Sequence, residues 1–155
     1  MNRKISNFIY FIICYVFFIY ANLSLSNFIV NQIKQGYRFS NDIMSLHYVK
    51  NTGAAFSILK DSREVLIILS VVALVLLFLY ALKHMKTIAM KSLFFIALLS
   101  AGIAGNLHER IAYGYVRDFF QISFVNNFPV FNVSDILINI SVIALIILIL
   151  VKKTK

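Results

Sequence analysis

The sequence has few of the residues that cross-link small domains or bind metals. It contains one cysteine, one proline and no tryptophan among 155 residues. A single cysteine excludes an internal disulfide, and we expect Cys14, which lies in an apolar run, to pack as a small side chain. The three histidines, His47, His84 and His108, are too scattered for a zinc site. We therefore expect no metal and no other cofactor.

Acidic residues are also scarce. There are 6 of them against 15 lysines and arginines, which gives a net charge of +9. In a soluble chain this charge would suggest a nucleic-acid partner. Here the basic residues flank apolar runs and no nucleic-acid-binding motif is present, so the positive-inside rule of membrane proteins explains the charge better. No nucleic-acid partner is expected.

What the chain has in abundance is hydrophobic sequence, at 61% of all residues. This is too apolar for a soluble domain and indicates one integral membrane domain over residues 1–155. Four runs are long enough to span a bilayer, at about 8–30, 65–82, 88–107 and 134–151. The first run exceeds the apolar length of a signal peptide, so a retained span is favoured over cleavage near Ser24-Leu25-Ser26.

The charges predict how the spans are oriented. With four spans, the basic N-terminus, the lysines between spans two and three and the basic C-terminus share one face, which should be cytoplasmic. Both termini should then lie inside. All six acids fall on the other face, and they are Asp42, Asp61, Glu64, Glu109, Asp118 and Asp135. Six is a small sample, but the asymmetry favours chemistry on the outer face.

The longest segment outside the spans covers residues 31–64. Its SLHYVKNTGAAFSIL stretch alternates loosely between apolar and polar residues and passes through Asn-Thr-Gly. This pattern predicts short β-strands around a turn. The expected fold is therefore an all-α membrane protein with four transmembrane helices and a small extracytoplasmic β-platform.

The stretch FNVSDILIN at the start of the fourth span places an aspartate at the edge of the hydrocarbon, where a carboxylate is expensive. Asn132 or Ser134 would cap this helix. Asp135 in its first turn complements the helix dipole, and taken alone this capping role is the favoured interpretation. Asn139, one turn deeper, extends the polar stripe towards the bilayer.

A second aspartate, Asp118 in GYVRDFF, lies just upstream, and alone it reads as a loop acid paired with Arg117. GNLHER ends the third span with residues that suggest a cap and an ion pair: Asn106, Glu109 and Arg110. Asp118 and Asp135 nevertheless lie on the same side of the membrane. Two carboxylates held close share one proton, so one deprotonates water while the other protonates the leaving group.

Three blocks in this order, NTGAAF, GNLHER followed by GYVRDF, and FPVFNVSD, resemble the lipoprotein signal peptidase (signal peptidase II) family of bacterial membrane aspartyl proteases. The resemblance implies cleavage of a prolipoprotein signal peptide before a cysteine that carries a diacylglyceryl group. Asp118 and Asp135 match the catalytic pair. The polar residues that match the family's supporting set are Asn51, Asn106, Arg110 and Asn132, and Gly53 and Glu109 lie within the same blocks.

The resemblance also implies a short periplasmic helix, a place in the bacterial inner membrane and an active site at the outer leaflet. Membrane lipid and the lipidated prolipoprotein are the implied partners, and a monomer is expected. Two features depart from the family pattern. The first-span signature Asp-Gln-x-Ser/Thr-Lys has its best match at Asn22 to Ser26, without its two charged members, and the acid before Arg110 is Glu109 where aspartate is usual.

Two alternatives remain open. One is a small transport or channel subunit, although no charged residue lies mid-span to relay an ion. The other is a relative that binds lipoproteins without cutting them. Processing of a lipobox substrate separates both from an active protease.

Overall fold

The computed structural model describes residues 3–54, 59–125 and 127–153. All four of its helices are long and apolar enough to cross a membrane, and a two-stranded antiparallel sheet accompanies them. This confirms the predicted fold class. In chain order the elements are α1 (Arg3–Lys34), β1 (Met44–Asn51), α2 (Arg63–His84), α3 (Met90–Tyr113), β2 (Val116–Ile122) and α4 (Val133–Lys153).

Helix α3 is the centre of the molecule and packs against each of the other three helices. Half of its most apolar window is buried inside the protein, against 11% for α1 and α2 and 17% for α4. Small residues explain this position, since Ala97, Ala101 and Gly105 recur every fourth residue and allow close approach. At Gly102 a Cβ atom would lie 2.8 Å from the backbone oxygen of Ser134, so the α4 backbone rests directly on α3.

The helices extend beyond the apolar runs. At 1.5 Å per residue α1 is about 48 Å long and α3 about 36 Å, against roughly 30 Å of hydrocarbon. The third span is predicted to end near residue 107, and the helix continues past that point, because the end of an apolar run is not the end of a helix. Helix α3 ends only where Gly114 takes a positive φ of 84° and its N–H reaches Arg110 O. The polar GNLHER residues thus lie within the last three helical turns.

The sheet differs from the prediction in its pairing. Strand β1 precedes the Asn-Thr-Gly turn as expected, but it pairs with β2, from between α3 and α4, with Asn51 opposite Val116 and Val49 opposite Asp118. An alternation of apolar and polar residues indicates a strand, but it does not identify the strand with which it pairs. Residues 31–34 and 63–64 of the predicted loop are helical. The described elements include no short periplasmic helix, and residues 55–58 lie outside the description.

Two buried clusters hold the elements together. Away from the sheet, Phe11 of α1 meets Phe78 of α2 edge-on at 5.1 Å, and Cys14 packs against this cluster as expected. Beneath the sheet, Phe119 of β2 is fully buried against Val30 of α1 and Val133 of α4. Since neighbouring side chains on a strand point to opposite faces, the anchored Phe119 directs Asp118 the other way.

Candidate active site

The two aspartates come from different elements and share one neighbour. Asp118 lies within β2, and Asp135 lies in the first turn of α4. Asn132 contacts both, because its side-chain Nδ2 donates to Asp118 Oδ1 at 2.7 Å and its backbone N–H donates to Asp135 Oδ2 at 3.1 Å. One residue therefore sets the position of one carboxyl group relative to the other.

Two more asparagines complete the hydrogen bonding of the pair. Asn51, at the end of β1, donates to Asp118 Oδ2 at 2.8 Å, and Asn106 of α3 donates to Asp135 Oδ1 at 2.9 Å. Asn132 also donates to Asn106 Oδ1 at 3.1 Å. Each of the four carboxyl oxygens thus accepts a hydrogen bond, and donors from three parts of the fold converge on the pair.

Backbone groups orient these amides. The Gly53 N–H donates to Asn51 Oδ1 at 2.9 Å, which turns the Asn51 amino group towards Asp118. The Asp135 N–H donates to Asn132 Oδ1 at 3.1 Å, so Asn132 caps α4 while Asp135 returns a hydrogen bond to the cap. The capping contacts predicted for this helix are present. They leave Asp135 Oδ1 free to face Asn106, so capping and pairing with Asp118 are compatible.

Arg110, on α3, stabilises the site through hydrogen bonds to backbone oxygens. Its guanidinium donates to Gly53 O at 2.8 Å and to Asn106 O at 3.4 Å, and the residue is buried. Because Gly53 also orients Asn51, the arginine links the last turns of α3 to the loop that follows β1. The predicted ion pair with Glu109 is wrong, since Arg110 points to the site and Glu109 does not.

Burial dominates the electrostatics of Asp118. The residue is 2% exposed, and this burial raises the pKa of its carboxyl group to about 7. The negative charge of Asp135 acts in the same direction, whereas the hydrogen bonds from Asn51 and Asn132 and the charge of Arg110 oppose it. Asp118 therefore keeps its proton up to near-neutral pH.

The predicted pairing of Asp118 with Arg117 is also wrong, because adjacent strand residues face opposite sides. Arg117 turns away from the site and forms a buried ion pair with Glu109, with Nε 2.6 Å from Oε2. It also donates to Asn27 Oδ1 of α1 at 2.7 Å and lies over the Tyr113 ring. This cluster fixes β2 to α3 and α1.

Sequence reasoning missed the Arg117 cluster, and only the β1–β2 pairing would have revealed it. It also missed what Asn22 does. Asn22 Nδ2 donates to Ser134 Oγ at 2.9 Å, and there is no space for a Cβ atom at Gly105 beside these two side chains. Asn22 Oδ1 is buried without a hydrogen-bond partner in the described part of the chain. The sequence signal was the four-residue spacing of Asn22, Ser26 and Val30, which places them on one face of α1. The structure buries all three.

The pair opens onto a cleft of about 800 Å³. Helix α3 forms its back wall and α2 and α4 its sides, and its apolar residues include Leu69 and Ile143, which are 53% and 59% exposed. A smaller cavity of about 270 Å³ adjoins Asp118 on the side of Lys50 and Lys60. No group of three or more His, Cys, Asp or Glu side chains forms a metal-binding cluster within residues 3–54, 59–125 and 127–153.

Comparisons with known proteins find similar sequences and a similar fold. A family model described as Signal peptidase (SPase) II matches residues 7–151. The lipoprotein signal peptidase of Lactococcus lactis subsp. lactis is 36% identical over 139 residues, which are 87% of this chain and 89% of that protein. The lipoprotein signal peptidase of Clostridium tetani is 38% identical over 111 residues, 70% of each chain. A solved bacterial membrane enzyme has a TM-score of 0.77 at 30% identity and covers 94% of this chain and 89% of its own.

Proposed function

This chain belongs to the signal peptidase II family, and we propose that it is an aspartyl endopeptidase that cuts prolipoproteins immediately before a diacylglyceryl-modified cysteine. The observation that carries the proposal is the joint contact of Asn132 with Asp118 and Asp135 at the end of a membrane cleft. Family membership makes the chain a protease of prolipoprotein signal peptides. The aspartyl mechanism and the cleavage site are our inference from the geometry.

The proposed reaction uses the two carboxyl groups in different protonation states. Asp118, with its pKa of about 7, holds a proton near neutral pH. The carboxylate of Asp135 accepts a proton from water, whose oxygen forms a bond to the scissile carbonyl carbon, while the carbonyl oxygen takes the proton of Asp118 and becomes a hydroxyl. The carbonyl then re-forms as the carbon–nitrogen bond breaks: the departing cysteine nitrogen takes the proton from Asp135, and a hydroxyl proton returns to Asp118.

The surrounding polar residues serve as supports in this proposal. Asn51, Asn106 and Asn132 hold the carboxyl oxygens, and Arg110 holds the loop that carries Gly53. Glu109 acts at a distance, since it positions Arg117 and with it the strand that carries Asp118.

The cleft suits the proposed substrate, because a signal peptide and two acyl chains are apolar and already lie in the membrane. Walls from α2 and α4 accept such a ligand without removing it from hydrocarbon. We propose that the chain acts as a monomer in the bacterial inner membrane, with both termini in the cytoplasm and the site at the outer leaflet. The basic ends of the spans support this orientation.

The test is to replace each aspartate by asparagine in the purified protein and to assay a diacylglyceryl-modified lipobox peptide. Asp118→Asn and Asp135→Asn should each lower kcat by ~10²–10⁴-fold, and the double variant should be scarcely slower than either single variant. Asp42→Asn, at an exposed acid of the outer face, is the matched control.

The same experiment separates the alternatives. If Asp135 only caps α4, Asp135→Asn should be mild, since asparagine also caps and only a dipole effect of about 0.3–1 kcal/mol is lost. A parental chain that binds the lipidated peptide without cutting it would identify a non-catalytic relative. Near-parental cleavage by the Asp135→Asn variant would refute the proposed pair.

A further inference from the structure

Asn139 is the polar side chain of the cleft that the proposed reaction leaves unused. It lines the same cleft as both aspartates, one helical turn beyond Asp135 on α4, and it is exposed. Its amide makes no hydrogen bond to any residue that the structure describes. Ser70, which lines the opposite wall, differs in this respect, because its hydroxyl donates to Leu66 O at 2.7 Å.

An amide in this place is unfavourable without a ligand. The neighbours Ile138, Ile140 and Ile143 are apolar and line the same cleft. Four residues of helix place Asn139 about 6 Å deeper than Asp135, towards the hydrocarbon. There an unpaired amide loses the hydrogen bonds of water, so an apolar residue would be the more stable choice. A ligand that offers hydrogen bonds at this depth would remove the penalty.

The substrate of the proposed function has such groups only when it is in position for cleavage. A helical signal segment satisfies its own backbone, but the peptide at the aspartates must be extended for water to reach the carbonyl. Extension frees N–H and C=O groups inside an apolar cleft, where each needs a partner. A depth of about 6 Å corresponds to roughly two residues of extended chain at 3.3 Å each.

We propose that Asn139 is a specificity-determining residue that hydrogen-bonds a peptide group of the signal segment about two residues before the scissile bond. This inference rests on the proposed function and deepens it. The carboxamide both donates and accepts, so it can satisfy one freed N–H or one freed C=O of the extended segment. Signal segments that remain helical at this point would gain nothing from Asn139.

The test compares the parental enzyme and Asn139→Leu on a lipidated lipobox peptide and on four analogues of it. Each analogue replaces one of the four amides before the scissile bond by an ester, which removes the N–H and weakens the adjoining acceptor. We expect Asn139→Leu to lower kcat/KM by ~10-fold, the usual worth of one lost hydrogen bond to a buried group. Asn139→Ser, which keeps a hydroxyl, should recover part of the loss.

The decisive result is that the effects of the enzyme substitution and of one ester substitution on kcat/KM are not additive. One ester should slow the parental enzyme and leave the Asn139→Leu enzyme unaffected, while the other three slow both equally. Val142→Leu, on α4 outside the cleft lining, is the control and should behave like the parent.

Two results would overturn this inference and leave the proposed function standing. They are cleavage by Asn139→Leu at the parental rate, and slower cleavage by that variant with equal sensitivity to every ester. A parental enzyme that leaves the unmodified peptide intact would overturn the proposed function as well.

Discussion

At the scale of single residues, the pKa of Asp118 links the burial of one carboxyl group to the pH dependence expected of the proposed reaction. Burial raises this pKa to about 7, and the hydrogen bond from Asn51 restrains the rise because it stabilises the ionised form. If the protonated form is the active one, kcat/KM should fall as the pH rises through about 7. This fall is the alkaline limb of the plot of kcat/KM against pH.

Asn51→Leu should therefore move the alkaline limb to higher pH as well as lower the rate. Removing the amide removes a hydrogen bond that favours ionisation, so the proton stays on Asp118 to a higher pH. The measurement is kcat/KM against pH for the parent, for Asn51→Leu and for Asp42→Asn, whose limb should stay with the parent. A slower Asn51→Leu enzyme with an unmoved limb would mean that Asn51 only maintains the local structure.

At the scale of elements, the site depends on how closely α1, α3 and α4 approach each other at Gly105. A Cβ atom there would overlap the side chains of Asn22 and Ser134. Gly105→Ala should destabilise the protein by roughly 1–3 kcal/mol, as overpacking does. Thermal unfolding in detergent measures the change.

Two further truncations show whether overlap is the cause. In an Asn22→Ala/Ser134→Ala background the overlapping atoms are absent, so Gly105→Ala should have only a small effect. An equal loss of stability in both backgrounds would mean that Gly105→Ala acts through the backbone at this position and not through overlap with the two side chains.

The elements also show what a sequence can predict. Four apolar runs predicted four spans, and the polar residues Asn132 and Ser134 at the start of the fourth run predicted a cap, because both signals are local. The partner of β1 was not local, since Asn51 pairs with Val116 across two helices. The Glu109–Arg117 ion pair depends on that strand position and was missed for the same reason. Burial of Asp118 likewise follows from tertiary packing and not from its neighbours in the chain.

At the scale of the whole molecule, the basic regions at the ends of the spans predict which face is cytoplasmic. The single cysteine offers a direct test. In a Cys14→Ala background, Lys50→Cys should react with a membrane-impermeant maleimide in intact cells, and Lys86→Cys should react only after the membrane is permeabilised. Labelling of Lys86→Cys in intact cells would reverse the orientation and place the aspartate pair on the wrong side for an exported substrate.

The cleft between α2 and α4 exposes Leu69 and Ile143 at its sides, where lipid chains lie in a bilayer. Under the proposed function, enzyme and substrate then meet in two dimensions, and we expect lipid to compete with the substrate for the cleft. The rate should follow the mole fraction of substrate in the membrane rather than its molar concentration in the sample. Adding lipid or detergent at constant substrate would slow the reaction by surface dilution, without any change in the aspartate pair.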